Sequence, residues 1–181
     1  GSGLVGSEMC IRDRYIVEEI ALSVRDAIES TGINLIIDTN TEEKIIKCDR
    51  NEIERCIINL LSNASKFTPS GGTITVDIED LGEKVKITVE DTGIGIEEKY
   101  HKYIFDRFNQ IVDSSMETKG GSGLGLTITK HIIDMHNGEI YIESEVDKGT
   151  KFTIILPADG DIEKSIVTVS YTHLRAHETG A

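Results

Sequence analysis

"GGSGLGLTITK", Gly120–Lys130, sets four glycines within six positions and runs straight into an apolar-patterned segment. Glycine adds no side-chain packing and loses the most backbone freedom on folding. Such a cluster marks a place where φ must be positive or where something must approach the backbone closely. The helix that follows would present unpaired N–H groups and a partial positive charge, which attract an anion such as phosphate. Two common phosphate loops fail here. A P-loop needs Lys and then Ser or Thr after its last glycine, whereas Gly125 is followed by Leu126. A dinucleotide fingerprint starting at Gly121 needs a glycine where Leu126 stands, and no strand leads into the loop. A phosphate loop of a third kind remains, alongside a plain flexible connector.

Downstream of the glycines, Leu124, Ile128, Ile132 and Met135 carry a helical period that stops at Asn137-Gly138. "EIYIESE" and "GTKFTIILP" then read as two strands. Upstream, "VDSSMETKGG" has no period and reads as a mobile loop, and "KYIFDRFNQ" reads as one short helix. "TITVDIED" and "KVKITVED" alternate around Gly82 and predict a hairpin. From Asn51 to Lys66 the spacing of Ile53, Cys56, Ile57, Leu60, Leu61 and Ala64 predicts an amphipathic helix, with Asp49 as its N-cap. "INLIID" and "KIIKCD" read as short strands. Residues 15–31, with Ile16, Ile20, Val24 and Ile28, read as a first helix stopped by Gly32. The sum is about three long helices on one face of a mixed sheet of five or six strands, an α+β fold.

The 181 residues suit one domain with a real core. A net charge of −13 argues against nucleic acid as a partner, because that partner needs a basic face. No apolar run reaches membrane-spanning length, so membrane contact is not expected, and no secretory pattern opens the chain. Cys10, Cys48 and Cys56 have no metal-ligand spacing and leave an odd thiol, which favours reduced cysteines and a cytoplasmic setting. "SEMCIRDR" (Ser7–Arg14) and "VSYTHLRAHETGA" (Val169–Ala181) resemble translated sequencing-adapter segments. The expected organisation is therefore a tail over 1–14, one domain over 15–168 and a second tail over 169–181. Each tail carries as many basic as acidic residues, so the body keeps the whole charge.

Four stretches can carry chemistry. On the Asn51–Lys66 helix, Asn59, Asn63 and Lys66 lie four and three apart and share a face. Asn63 offers an amide oxygen suited to Mg²⁺, and Lys66 a point charge suited to phosphate. The plainer reading is a solvated helix surface. In "DTGIGI", Asp91 ends a strand and is followed by Gly93 and Gly95. The carboxylate can accept the exocyclic amine of adenine, and the glycines let a flat base approach; an acidic turn is the alternative. In "FDRFNQ", Arg107 stands between Phe105 and Phe108, a guanidinium between apolar anchors that can reach a terminal phosphate. The fourth stretch is the glycine loop itself.

Their order is far more specific than any one of them: an asparagine helix, Asp-x-Gly-x-Gly, Phe-x-Arg-Phe, then Gly-x-Gly-x-Gly-Leu. It resembles the ATP-binding catalytic domain of two-component sensor histidine kinases, in the GHKL superfamily, with its N, G1, F and G2 boxes. "KGTKF", with Gly149 and Thr150, resembles the last glycine motif. The resemblance covers roughly residues 15–157 and implies the Bergerat fold, a two-layer α/β sandwich that the coarse reading fits. It implies that Asn63 coordinates Mg²⁺ with Asn59 as support, and that Lys66 and Arg107 contact phosphates. Phe67 would pack beside the nucleotide, Asp91 would recognise adenine, and Thr150 would complete that polar network. Gly121, Gly123 and Gly125, with Leu124, would form a lid around the phosphates.

The implied reaction moves the γ-phosphoryl group of ATP to a histidine on a dimerisation domain, with a response regulator downstream. None of His101, His131, His136, His173 or His177 sits in the family's acceptor pattern. The chain is therefore expected to bind ATP–Mg²⁺ without autophosphorylating alone, and the parent kinase can be membrane-anchored. Hydrolytic relatives carry a glutamate one turn before the metal asparagine, where Asn59 stands here, and an amide cannot take a proton from water as a carboxylate does. The alternatives are a serine kinase of the anti-sigma type and a nucleotide-binding interaction module without transfer activity.

Overall fold

A computed structural model describes residues 8–39, 44–106 and 124–158. Their elements run β1 (Glu8–Arg12), α1 (Asp13–Glu29), β2 (Asn34–Asp38), β3 (Ile45–Asp49), α2 (Arg50–Phe67), β4 (Thr73–Asp80), β5 (Lys84–Asp91), α3 (Glu98–His101), α4 (Leu124–Met135), β6 (Glu139–Glu145) and β7 (Gly149–Pro157). The main sheet has five strands in the order β2-β4-β5-β7-β6, parallel only between β2 and β4. The helices cover one face of it, so the expected mixed two-layer fold is what forms.

The alternating patterns explain why. In the β4–β5 hairpin Val76 faces Val89 and Ile78 faces Ile87 across the strands, and all four are buried. Their neighbours Thr75, Asp77 and Lys86 stay partly open to solvent on the other face. The turn is closed by Gly82, which has φ +85° and donates its N–H to Asp80 Oδ1 at 2.7 Å. That bond, more than the nearby Lys44, holds the Asp80 carboxyl below its ordinary range. Helix α2 lays Ile53, Cys56, Ile57, Leu60, Leu61 and Ala64 against the sheet and α4. Asp49 caps it, accepting from Asn51 and Glu52 N–H.

Helix α4 ends in a Schellman turn. Asn137 takes φ 56°, and Gly138 donates its N–H to the Ile133 carbonyl at 2.9 Å. Just before it, His136 is buried; Nδ1 donates to the Ile132 carbonyl and Nε2 accepts the Asp49 N–H at 3.0 Å. One imidazole thus ties the end of α4 to the start of α2.

Three features differ from the sequence reading. The segment "KIIKCD" makes a strand, but β3 leaves the main sheet and pairs antiparallel with β1, inside the stretch that resembles adapter sequence. Helix α1 begins at Asp13 because that carboxylate is buried and accepts the Lys44 N–H at 2.9 Å. A short helix spans Glu98–His101, and residues 102–105, where the sequence reading starts its helix, form a turn. The chain turns over 102–105 because Ile104 is buried and Phe105 packs edge-on against Phe152, with ring centroids 6.3 Å apart. The loop "VDSSMETKGG", Arg107–Gln110 and the second tail lie outside the described residues.

Candidate nucleotide site

Where the last turns of α2 meet the end of β5 and the start of β7, a small cleft opens. Ala64, Phe67, Ile96 and Phe152 give it apolar walls; Asn63, Asp91 and Thr150 are its polar side chains. A flat heteroaromatic group is the natural occupant, since apolar walls with a few fixed polar groups orient a ring and exclude water.

Asp91 is only 6% exposed. Its Oδ1 accepts the Gly93 N–H at 2.8 Å and the Thr150 N–H at 3.2 Å. Among the described residues, its Oδ2 accepts nothing, which leaves one strong acceptor for a donor on a ligand. Burial raises the carboxyl above its ordinary range and Glu90 adds to this, while the two N–H bonds oppose it. The charge is therefore held at a desolvation cost, a mark of a working group more than of a structural one.

The loop after β5 is fixed from both sides. Ile94 donates its N–H to the Phe67 carbonyl at the end of α2, and its own carbonyl accepts the Asp147 N–H at 2.8 Å. This explains the two glycines. A methyl on Gly93 would stand 2.9 Å from the Phe67 carbonyl carbon, and one on Gly95 2.6 Å from the Glu145 carbonyl carbon. Gly95 also has φ +71°. The close approach they permit among the described residues is by the protein's own backbone.

Of the residues singled out from the sequence, the cleft brings together Asn63, Phe67, Asp91, Gly95 and Thr150. Gly93 joins them through its bond to Asp91. Asn59, half-buried, and Lys66, exposed, share α2 with Asn63 but do not line the cleft. Lys66 in the last helical turn also complements the helix dipole. Leu124 and Gly125 open α4; Gly121, Gly123 and Arg107 lie outside the described residues. Sequence reading missed Ile96, Phe152 and Ser144. Ser144 stands opposite Thr150 across the β6–β7 pair, with the two hydroxyl oxygens 2.8 Å apart. Only the register of that hairpin reveals it.

Residues 48–160 match the family described as "Histidine kinase-, DNA gyrase B-, and HSP90-like ATPase". The chain belongs to that family. This ATPase-family domain is of the histidine-kinase type within the GHKL superfamily, as its relatives indicate. It is 38% identical over 133 residues to the circadian input-output histidine kinase CikA of Synechococcus elongatus, covering 72% of this chain and 18% of CikA. The nucleotide-free catalytic domain of histidine kinase ThkA superposes with a TM-score of 0.73 at 28% identity, covering 84% of this chain and 96% of that one. ThkA in complex with the response regulator protein TrrA matches at 26% identity and TM-score 0.69, over 83% of this chain and 41% of that one. The chain spans about a fifth of the length of CikA. Among the described residues no helix is long and apolar enough to cross a membrane.

Proposed function

We propose that this ATPase-family domain is the catalytic domain of a sensor histidine kinase, binding ATP–Mg²⁺ and presenting the γ-phosphoryl group to a histidine on a dimerisation domain. The observation that carries this is Asp91, a buried carboxylate with one oxygen uncommitted in an apolar cleft that Asn63 also lines. Asp91 accepts the exocyclic amine of adenine, while Phe67, Ile96 and Phe152 hold the ring and keep water away. Phosphoryl transfer depends mainly on positioning and charge neutralisation. In this reading Lys66 and Arg107 contact phosphate oxygens, and Gly121, Gly123 and Gly125 let the lid backbone wrap them.

Mg²⁺ fits the donor set. Among the described residues no group of three or more His, Cys, Asp or Glu could hold a metal. Asn63 offers a single hard oxygen at the cleft, which suits a cation that keeps waters and takes its other ligands from phosphates. Bound there, Mg²⁺ would neutralise charge on the phosphates, and Asn63, supported by Asn59, would hold it. Asn59 also separates this reading from hydrolysis, because an amide in that position cannot deprotonate water. The ThkA–TrrA complex supports a response regulator as the downstream partner, and ATP as substrate supports a cytoplasmic location. Transfer to a serine, as in the anti-sigma type, differs only in the acceptor.

Calorimetry with a non-hydrolysable ATP analogue, with and without Mg²⁺, tests this. The wild-type chain binds the analogue more tightly with Mg²⁺, and Asn63→Ala removes most of that difference. No binding at millimolar analogue, or an Asn63→Ala variant with undiminished Mg²⁺ dependence, contradicts the assignment.

A further inference from the structure

The hydroxyl of Ser144 has one proton and three neighbours. Its Oγ accepts the Ile96 N–H at 2.7 Å, lies 3.0 Å from the Gly149 carbonyl, and stands 2.8 Å from Thr150 Oγ1. A carbonyl can only accept, so the Ser144 proton goes to Gly149. The Ile96 N–H occupies one Oγ lone pair. The other is left for Thr150, whose hydroxyl must then be the donor. With its proton turned toward Ser144, Thr150 keeps only lone pairs for the cleft that it lines beside Asp91. Asp91 Oδ2 is likewise an acceptor. The floor of the cleft therefore shows two acceptors and no side-chain hydroxyl donor.

We propose that Ser144 is a positioning residue for base selection: by fixing the Thr150 hydroxyl as an acceptor, it makes the cleft favour a 6-amino purine over a 6-oxo purine. An amino group carries two hydrogens, one for each acceptor. An oxo group brings lone pairs against lone pairs, and a site whose buried polar groups are left unpaired discriminates strongly. The inference rests on the ATP reading of the cleft and adds a residue that does not itself line it. Ser144 also ties the loop after β5 to the start of β7, so a purely structural role must be told apart from a polar one.

The test is calorimetric titration of the full chain with ATP and with inosine 5′-triphosphate, which differs in carrying a 6-oxo group. Wild type prefers ATP. Ser144→Ala frees the Thr150 proton to donate into the cleft, so ATP binding falls, inosine triphosphate binding rises, and the preference shrinks roughly fivefold or more, as expected for one polar contact reversed. Ser144→Thr, which keeps the hydroxyl, retains the wild-type preference. Thr150→Val leaves the Ser144 bonds to Ile96 and Gly149 in place and also lowers the preference, and adding Ser144→Ala to it lowers the preference no further. If Ser144→Ala does not fold, Thr150→Val still decides, because unchanged selectivity in it overturns the proposal. Equal weakening of both nucleotides by Ser144→Ala assigns the residue a structural role alone and also overturns it. A wild-type chain that binds neither nucleotide removes the ATP reading and this inference together; one that binds ATP while the variants keep its selectivity removes only the inference.

Discussion

At the scale of single residues, Asp91 sets stability against function. Its carboxyl is raised by burial, so the fold favours the protonated form. Between the ordinary carboxylate value and the raised one, the folded chain binds more protons than the unfolded chain. Stability from this group is thus fullest below the ordinary value and falls as pH rises through that window. Once ionised, the carboxylate is a strain on the fold. Asp91→Asn keeps an oxygen for the Gly93 and Thr150 N–H groups but replaces Oδ2 with an amide donor. It should leave the melting temperature unchanged or higher while weakening ATP binding by about 1–3 kcal/mol. A variant that melts lower, or binds ATP as wild type does, contradicts this. For the same reason ATP affinity should decline as pH falls toward the raised Asp91 value, and that decline should vanish in Asp91→Asn. Cys56 shifts the same way: burial, helped by Glu52, pushes its thiol up to about 12, and the thiol faces the Thr129 carbonyl. It should resist iodoacetamide at pH 8 in the folded chain and react once the chain is unfolded in urea.

At the scale of elements, packing explains what periodicity marks. Asp49 caps α2, and its backbone N–H is held by His136, so Asp49→Ala removes two bonds to helix N–H groups and should cost about 1 kcal/mol in urea unfolding. Gly95→Ala meets both the left-handed φ and the Glu145 carbonyl. It should cost at least about 2 kcal/mol, since the backbone conformation alone costs roughly 1–2 kcal/mol. A loss below 1 kcal/mol would mean that the loop after β5 relaxes freely.

Helix α2, the β4–β5 hairpin and the β6–β7 pair were legible because each carries its own period and its own stop signal. The pairing of β3 was not. Its apolar run is the same whether it joins the main sheet or β1, and only the short chain before α1 decides. Asp91, Asn63 and Thr150 stood out as residues, but that they meet depends on α2 ending beside β5. The backbone contacts of Gly93 and Gly95 could not be read, because the carbonyls they accommodate belong to α2 and β6. Ser144 stayed hidden because "ESE" looks like any alternating strand until its partner is known.

At the scale of the whole molecule, the proposed reaction divides into a donor half on this chain and an acceptor half supplied in trans. The three histidines among the described residues are placed away from any acceptor role. His101 is bonded to the Ile96 carbonyl, His136 is buried with both ring nitrogens engaged, and His131 is exposed on α4 without the acidic neighbour and downstream Pro of an acceptor box. His173 and His177, outside the described residues, lack that pattern too. A chain built to hold ATP, with no histidine suited to take its phosphoryl group, should bind nucleotide and stop there. Incubated with γ-labelled ATP and Mg²⁺, it should retain no acid-labile, base-stable label. Adding in trans a dimerisation domain from a related kinase should place label on that domain's histidine, and Asn63→Ala should abolish it. Label on the chain itself would mean that one of these histidines reaches the γ-phosphate. A labelled serine on a supplied protein instead would move the domain to the serine-kinase branch of the same fold. In either case the nucleotide cleft would stand and only the proposed acceptor would change, because Asp91, Asn63 and Thr150 line the cleft whichever group receives the phosphoryl group.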